Sequence, residues 1–169
     1  ALLTTRNVDK GLHGAPLADR IGMLLALGKA FPGLAVMAAN QARIIDQAVA
    51  LALLLPGVEL DFVVGFDTLE RLFAPRYYTD MERELDEFSA RHRAIATNRA
   101  AATPPVVEIF LREPHVRQYV DRIFVCELDD ERAALSSTAA RERVSSGKAA
   151  EELPPPVHEY IRRHGLYRD

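Results

Sequence analysis

Short apolar runs that alternate with helix-patterned segments constrain this chain more than any other feature. Residues 34–39 are almost continuously apolar, as a strand buried on both faces is. Residues 60–64 run into Gly65-Phe66-Asp67, residues 94–97 end at Asn98-Arg99, and residues 121–128 form the last such run. The chain opens on a further strand pattern over residues 1–5, followed by the polar loop 6–11. Between these runs the spacing predicts helices over 16–30, 41–55, 68–73, 81–92, 104–111 and 157–164, with a short one at Pro114. Pro32-Gly33 and Pro56-Gly57 stop the first two, and Gly165 caps the last. Asp129 to Arg132 reads as a solvated acidic loop. Alternation of this kind predicts one α/β domain over residues 1–169, with a mainly parallel sheet and helices on both faces.

Composition narrows the chemistry. A net charge of −3 supplies no basic field for nucleic acid or an anionic membrane. The single cysteine, Cys126, rules out an internal disulfide and sits in the apolar run Ile123-Phe124-Val125-Cys126, so a buried inert thiol is expected. No apolar run is long enough to span a bilayer and no secretory signal occurs, so the expected location is the cytoplasm, with the nucleus as an alternative. The five histidines do not gather: His158 and His164 are off the i, i+4 spacing, His92 lies between arginines, and His13 and His115 fall in loops or short turns. No P-loop, G-x-G-x-x-G or G-x-S-x-G occurs, and neither protein-held zinc nor a serine triad is expected.

The strongest candidate site is Leu135-Ser136-Ser137-Thr138-Ala139-Ala140-Arg141, running on to Gly147. Hydroxyl residues ahead of good helix formers predict a helix start near Ser137. The first turn of a helix presents N–H groups without intrahelical partners, together with the positive end of the dipole. That end of a helix is a seat for phosphate. Arg141, one turn on, can lean back and add charge-assisted bonds to the same anion. Gly147 supplies the stop. The competing reading is a helix cap and a solvated arginine.

A second constellation follows from the sheet. Ligands of open parallel sheets collect at the carboxyl ends of the strands. Gly65 there would let a ligand approach the backbone, and Asp67 could accept hydrogen bonds from a nucleotide's ribose or amide groups. Asp67 with Glu70 three residues later also matches a capping box, and one residue can do both.

These residues resemble a known family. Leu135 to Arg141, Gly147, Leu153-Pro154 and the segment Val157-x-x-Tyr160-Ile161-x-x-His164-Gly165-Leu166-Tyr167 resemble the end of nicotinate/nicotinamide mononucleotide adenylyltransferases. Asp61 to Leu69 resembles the glycine–aspartate segment of the same family, closest to its fungal-type, cytidylyltransferase-like branch. The resemblance implies a Rossmann-like nucleotidyltransferase fold. It also implies transfer of AMP from ATP to a pyridine mononucleotide in NAD biosynthesis, with Mg²⁺ accompanying ATP and pyrophosphate leaving. It assigns Ser136, Ser137, Thr138 and Arg141 to the ATP phosphates, with Arg99 and Lys10 beside them, and Gly65 and Asp67 to the nucleotide. The partners implied are ATP and the mononucleotide, without nucleic acid or membrane, and a homo-oligomer is compatible with them. The family's glycine–phenylalanine–proline segment and its histidine–x–glycine–histidine motif do not occur in the sequence, so the first strand is expected to be missing and no catalytic histidine is assigned. Tyr77 or Tyr78 could replace the tryptophan that many members stack on the pyridine ring. A non-catalytic nucleotide-binding protein, or a related nucleotidyltransferase with another substrate, is the alternative.

Overall fold

The computed structural model describes residues 1–5, 14–97, 102–148 and 150–167. Its strands are β1 (Leu2–Thr4), β2 (Met37–Ala39), β3 (Asp61–Gly65), β4 (Arg93–Thr97) and β5 (Ile123–Cys126). Its helices are α1 (Leu17–Ala30), α2 (Ile44–Leu54), α3 (Phe66–Leu72), α4 (Met81–Ser89), α5 (Pro104–Leu111), α6 (Asp130–Ala133), α7 (Ser137–Ser145) and α8 (Pro155–His164). Two 3-10 turns, Pro75–Tyr77 and Arg117–Arg122, complete the described elements. The architecture is α/β with parallel strands flanked by helices, as the alternation predicts. The chain forms two compact units, one of residues 1–42 and 135–169 and the other of residues 43–134.

In the second unit β3, β4 and β5 lie side by side in parallel, with Phe62 opposite Ala94 and Ala94 opposite Ile123. Parallel neighbours cannot be joined by a hairpin, so each connection carries helical crossover segments. Period-two alternation turns Phe62, Val64, Ala94, Ala96 and Ile123 toward one face, where they join the core. Leu69, Leu85 and Val116 are its largest fully buried side chains. Phe66, Phe110, Phe73 and Tyr119 continue it as a chain of ring contacts with centroids 5.3–6.0 Å apart. Small alanines on β4 let these rings approach the sheet.

A guanidinium ties the start of α2 to its surroundings. Arg43 forks onto Asp46 at 2.8 and 2.6 Å, reaches Glu84 on α4 at 3.1 Å, and donates to the Tyr77 carbonyl at 2.7 Å. It also lies 5.4 Å from the centre of the Tyr78 ring. Tyr78 donates its hydroxyl to the Leu72 carbonyl, and burial pushes its ionisation well above the ordinary tyrosine range. One face of Tyr78 is therefore occupied by a protein cation.

The first unit pairs β1 with β2 in parallel, Leu3 opposite Ala38, and packs α1 against α8. Tyr160 of α8 crosses α1 at Gly22, where a Cβ would meet its hydroxyl at 2.1 Å and its ring carbons at 2.4 and 2.7 Å. The Tyr160 hydroxyl donates to Asp19 at 3.2 Å and its ring stacks on His164 at 4.1 Å. Burial, with Asp19 second, raises the ionisation of Tyr160 above its ordinary value.

Several expectations are corrected. The strand at 34–39 shortens to Met37–Ala39, and Ala38 is exposed instead of buried, because apolar sequence does not report how many layers cover a strand. The acidic loop at 129–132 is instead a helical turn, α6, capped by Asp129, which accepts the Arg132 N–H at 2.8 Å. The helix at Pro114 is replaced by the 3-10 turn 117–122, which puts Tyr119 into the core and delays the last strand to Ile123. Cys126 is exposed, not buried: it ends β5, an outer strand of the three-stranded sheet.

His92 is an unexpected core residue, 4% exposed. Its Nδ1 accepts the Leu60 N–H at 3.2 Å, and its ring contacts Phe62 and Phe88. Burial first, and Arg91 second, hold its pKa below the ordinary 6.5. Because the folded state favours the neutral ring, His92 contributes stability that is present above pH 6.5 and lost as pH falls through the lowered value. Urea midpoints measured from pH 7.5 down to pH 5 should decline more steeply for the wild type than for His92→Gln. A second expectation concerns Leu69→Ala, which should cost about 2–5 kcal/mol in the same assay by opening a core cavity.

Candidate functional site

Local chemistry builds the start of α7. Ser136 is the N-cap in an extended conformation, and its Oγ accepts the Ala139 N–H at 3.1 Å. Its carbonyl accepts the Ala140 N–H at 3.0 Å. Ser137 and Thr138 are the first two helical residues and are exposed. Their N–H groups fall in the turn that has no intrahelical acceptors. The Arg141 guanidinium turns back along the helix and donates to Thr138 Oγ1 at 3.1 Å. A hydroxyl pair, a positive helix end and a guanidinium thus gather within one turn. Gly147, at φ +68°, closes the helix, its N–H on the Val144 carbonyl at 3.0 Å.

Ser137 and Arg141 face a cavity of about 350 Å³ within the first unit. Its lining combines Arg20 of α1 with an apolar floor that includes Met23, Val144 and Ile161. Gly14 stands beside Arg141: a Cβ there would lie 3.7 Å from Arg141 Cδ and 3.8 Å from the Tyr167 ring. Gly14 has φ +102°, a conformation that side chains resist. Tyr167, which also lines the cavity, is the one non-glycine residue at positive φ among those described, at +60°. Backbone held in that region costs about 1–3 kcal/mol and survives where its surroundings require it.

The second candidate constellation lies on the second unit. Register sets Gly65, Thr97 and Cys126 next to one another at the carboxyl ends of β3, β4 and β5. Gly65 is the N-cap of α3 without a side-chain bond, at φ −73°, so it serves by its lack of a side chain and not by an unusual backbone. The helix starts at Phe66, two residues earlier than the spacing predicts, so Asp67 sits inside the first turn. The expected capping box with Glu70 is therefore absent. Asp67 instead accepts from the Arg71 guanidinium one turn on, and its side chain stays 69% exposed. An acidic side chain at that position also complements the helix dipole. Lys10 and Arg99, together with His13 and Asn98, lie outside the described residues.

Among the described residues, no group of three or more His, Cys, Asp or Glu is placed to hold a metal ion. No helix of the described residues is long and apolar enough to cross a membrane. Tyr78 is committed to Arg43 and Leu72, and Tyr77 carries the Arg76 guanidinium 4.7 Å from its ring centre. A pyridine ring could stack on the occupied face of either only by displacing its guanidinium.

Sequence reasoning did not find Arg20, Gly14 or Gly22. Arg20 carries no motif, and 116 residues separate it from Ser137, so only folding brings them to one cavity. Gly14 did stand in a Gly-Ala-Pro loop, a turn signal without a functional one. Tyr167 belonged to the family-like ending but had no role there.

Comparison with known proteins supports the resemblance at a coarser level. No protein-family model matches the chain. Two curated proteins of Dehalococcoides mccartyi, from strains BAV1 and CBDB1, are each 33% identical to it over 111 residues, covering 64% of this chain and 48% of theirs. Both are named "Probable nicotinate-nucleotide adenylyltransferase". The chain spans about half the length of these relatives. They are bacterial, which corrects the expected closeness to the fungal-type branch. The α/β architecture is consistent with a Rossmann-like nucleotidyltransferase fold.

The geometry of the first unit makes a test of its own. Gly22→Ala would put a methyl group into the Tyr160 ring, which is pinned by His164 and Asp19, and overpacking of this kind costs about 1–3 kcal/mol. The thermal midpoint should fall accordingly. In a Tyr160→Leu background most of that loss should disappear.

Proposed function

We propose that this chain is part of a nucleotidyltransferase that transfers AMP from ATP to nicotinate mononucleotide and releases pyrophosphate. The observation that carries this reading is the first turn of α7, where Ser136, Ser137, Thr138 and Arg141 converge beside a cavity. Its support from outside the chain is the similarity to two proteins named as nicotinate-nucleotide adenylyltransferases.

In the proposed reaction an oxygen of the mononucleotide phosphate bonds to the α-phosphorus of ATP. The bond from that phosphorus to the bridging oxygen breaks, and its electron pair leaves with pyrophosphate. No proton has to be taken from the attacking oxygen, because a phosphate is already anionic at neutral pH. Such chemistry depends on in-line positioning and on charge stabilisation. The N–H groups of Ser137 and Thr138 and the Thr138 hydroxyl would bind phosphate oxygens directionally. Arg141 would add a fixed positive charge with a planar pair of donors. The family resemblance separately assigns Gly65 and Asp67 of the second unit to a nucleotide, the first by close backbone approach and the second by accepting hydroxyl protons.

Mg²⁺ belongs to the proposal as a companion of ATP. The hydroxyl and guanidinium groups at α7 do not form a carboxylate cage, and a hard cation in such a site is held mainly by phosphate oxygens and water. It would neutralise phosphate charge there. Lys10 and Arg99 are proposed to add positive charge near the same phosphates.

The decisive assay mixes the protein with Mg²⁺-ATP and nicotinate mononucleotide and follows pyrophosphate release. Turnover supports the reading. Binding of ATP without turnover on any pyridine mononucleotide would replace it with a nucleotide-binding protein of the same fold. Arg141→Ala should weaken ATP binding in calorimetry by about 1.5–3 kcal/mol, the range for a hydrogen bond to a charged group. An unchanged affinity would return Arg141 to the surface and Ser136 to the role of a cap.

A further inference from the structure

We infer that Arg20 is a second phosphate-binding cation of the first unit's cavity, acting on the same anionic ligand as Arg141. The inference rests on the reading of α7 as a phosphate site and adds a residue that neither the motifs nor the family-like segments mark.

Three observations lead to it. Arg20, in the first turn of α1, and Arg141 of α7 line one cavity, and Ser137 is part of the same lining. Both are partly buried. Among the described residues, neither guanidinium has a carboxylate within 4.0 Å, whereas Arg143 of the same unit reaches Glu152 at 3.0 Å and Arg162 reaches Glu159 at 2.9 Å. The exposed Arg163 of α8 lacks a carboxylate partner among the described residues as well, so what sets Arg20 and Arg141 apart is the cavity they share.

Physical chemistry gives that arrangement a direction. Arginines cannot relieve mutual repulsion by losing a proton. Two guanidinium groups on one cavity with a largely apolar floor must therefore be balanced by counterions from solvent or by an anionic ligand. A phosphate group is matched to the pair, since each fork can take two oxygens and the N-terminal turn of α7 supplies further donors. The apolar floor would accept the uncharged part of the molecule. The ligand class is then a nucleotide whose phosphate is gripped from both sides, either the polyphosphate of ATP or the single phosphate of the mononucleotide.

Calorimetry on the full chain separates these sources. Arg20→Gln would be titrated with Mg²⁺-ATP, adenosine, nicotinate mononucleotide and the dephosphorylated nucleoside. The expected result is a rise of about tenfold or more in the Kd of one phosphate-bearing ligand, with its nucleoside unaffected. The ligand that loses affinity identifies which phosphate Arg20 holds. Equal weakening of nucleotide and nucleoside would make Arg20 a structural residue and overturn the inference, as would no change for any ligand. If Arg20→Gln does not fold, Arg20→Lys keeps the charge without the fork, and a loss confined to the same phosphate-bearing ligand is expected. Arg141→Ala, measured in parallel, separates the two readings. A phosphate-bearing ligand weakened by Arg141→Ala with no ligand weakened by Arg20→Gln overturns this inference alone, and failure of both variants to weaken any phosphate-bearing ligand overturns the phosphate site as well.

Discussion

Parallel pairing is the constraint on which the second unit depends. Strands that run the same way cannot be joined by a tight turn, so the chain must travel back along a face of the sheet before it pairs again. In doing so it covers Phe62, Val64, Ala94, Ala96 and Ile123 and delivers Leu69, Leu85 and Val116 into the space above them. The same requirement leaves the carboxyl ends of β3, β4 and β5 together, with Gly65, Thr97 and Cys126 in register. Chemistry at one end of a sheet is a consequence of its direction.

The first unit depends on a different contact. The absence of a side chain at Gly22 lets the Tyr160 ring lie across α1, and the hydroxyl and ring of Tyr160 meet Asp19 and His164. That crossing holds α8 on α1, and residues from both helices then line the cavity faced by α7. The geometry at Ser136 and Thr138, where phosphate binding is proposed, is local, but the cavity beside it is a product of helix packing. A site assembled this way joins a motif of seven consecutive residues to an arginine more than a hundred positions away.

Polar groups show the same division between local and packed origins. Ser136 and Asp129 cap their helices through residues three positions on, the first as the sequence predicts and the second where a loop was expected. Arg43 instead joins α2, α4 and the turn at Tyr77, and His92 gives its Nδ1 to the Leu60 N–H while its ring joins Phe62 and Phe88. Neither role follows from neighbours in sequence. His92 stands between two arginines in the sequence, and the chain just past the end of α4 turns it inward.

Much was legible from sequence because its causes act over a few residues. Alternation of apolar runs and helical spacing determined the α/β class, the hydroxyl cap determined the start of α7, and Gly147 and Gly165 determined where two helices end. The return of Arg141 toward Thr138 follows from one helical turn. What only tertiary structure decided depends on distant packing. It exposed Cys126 at the end of an outer strand, moved the start of α3 so that Asp67 pairs with Arg71 instead of capping with Glu70, and turned Tyr78 under Arg43. It also carried Arg20 to the cavity of Arg141. Local backbone preferences are written within a turn of the residue concerned, whereas burial and ligand geometry are settled by whichever segments the fold brings alongside.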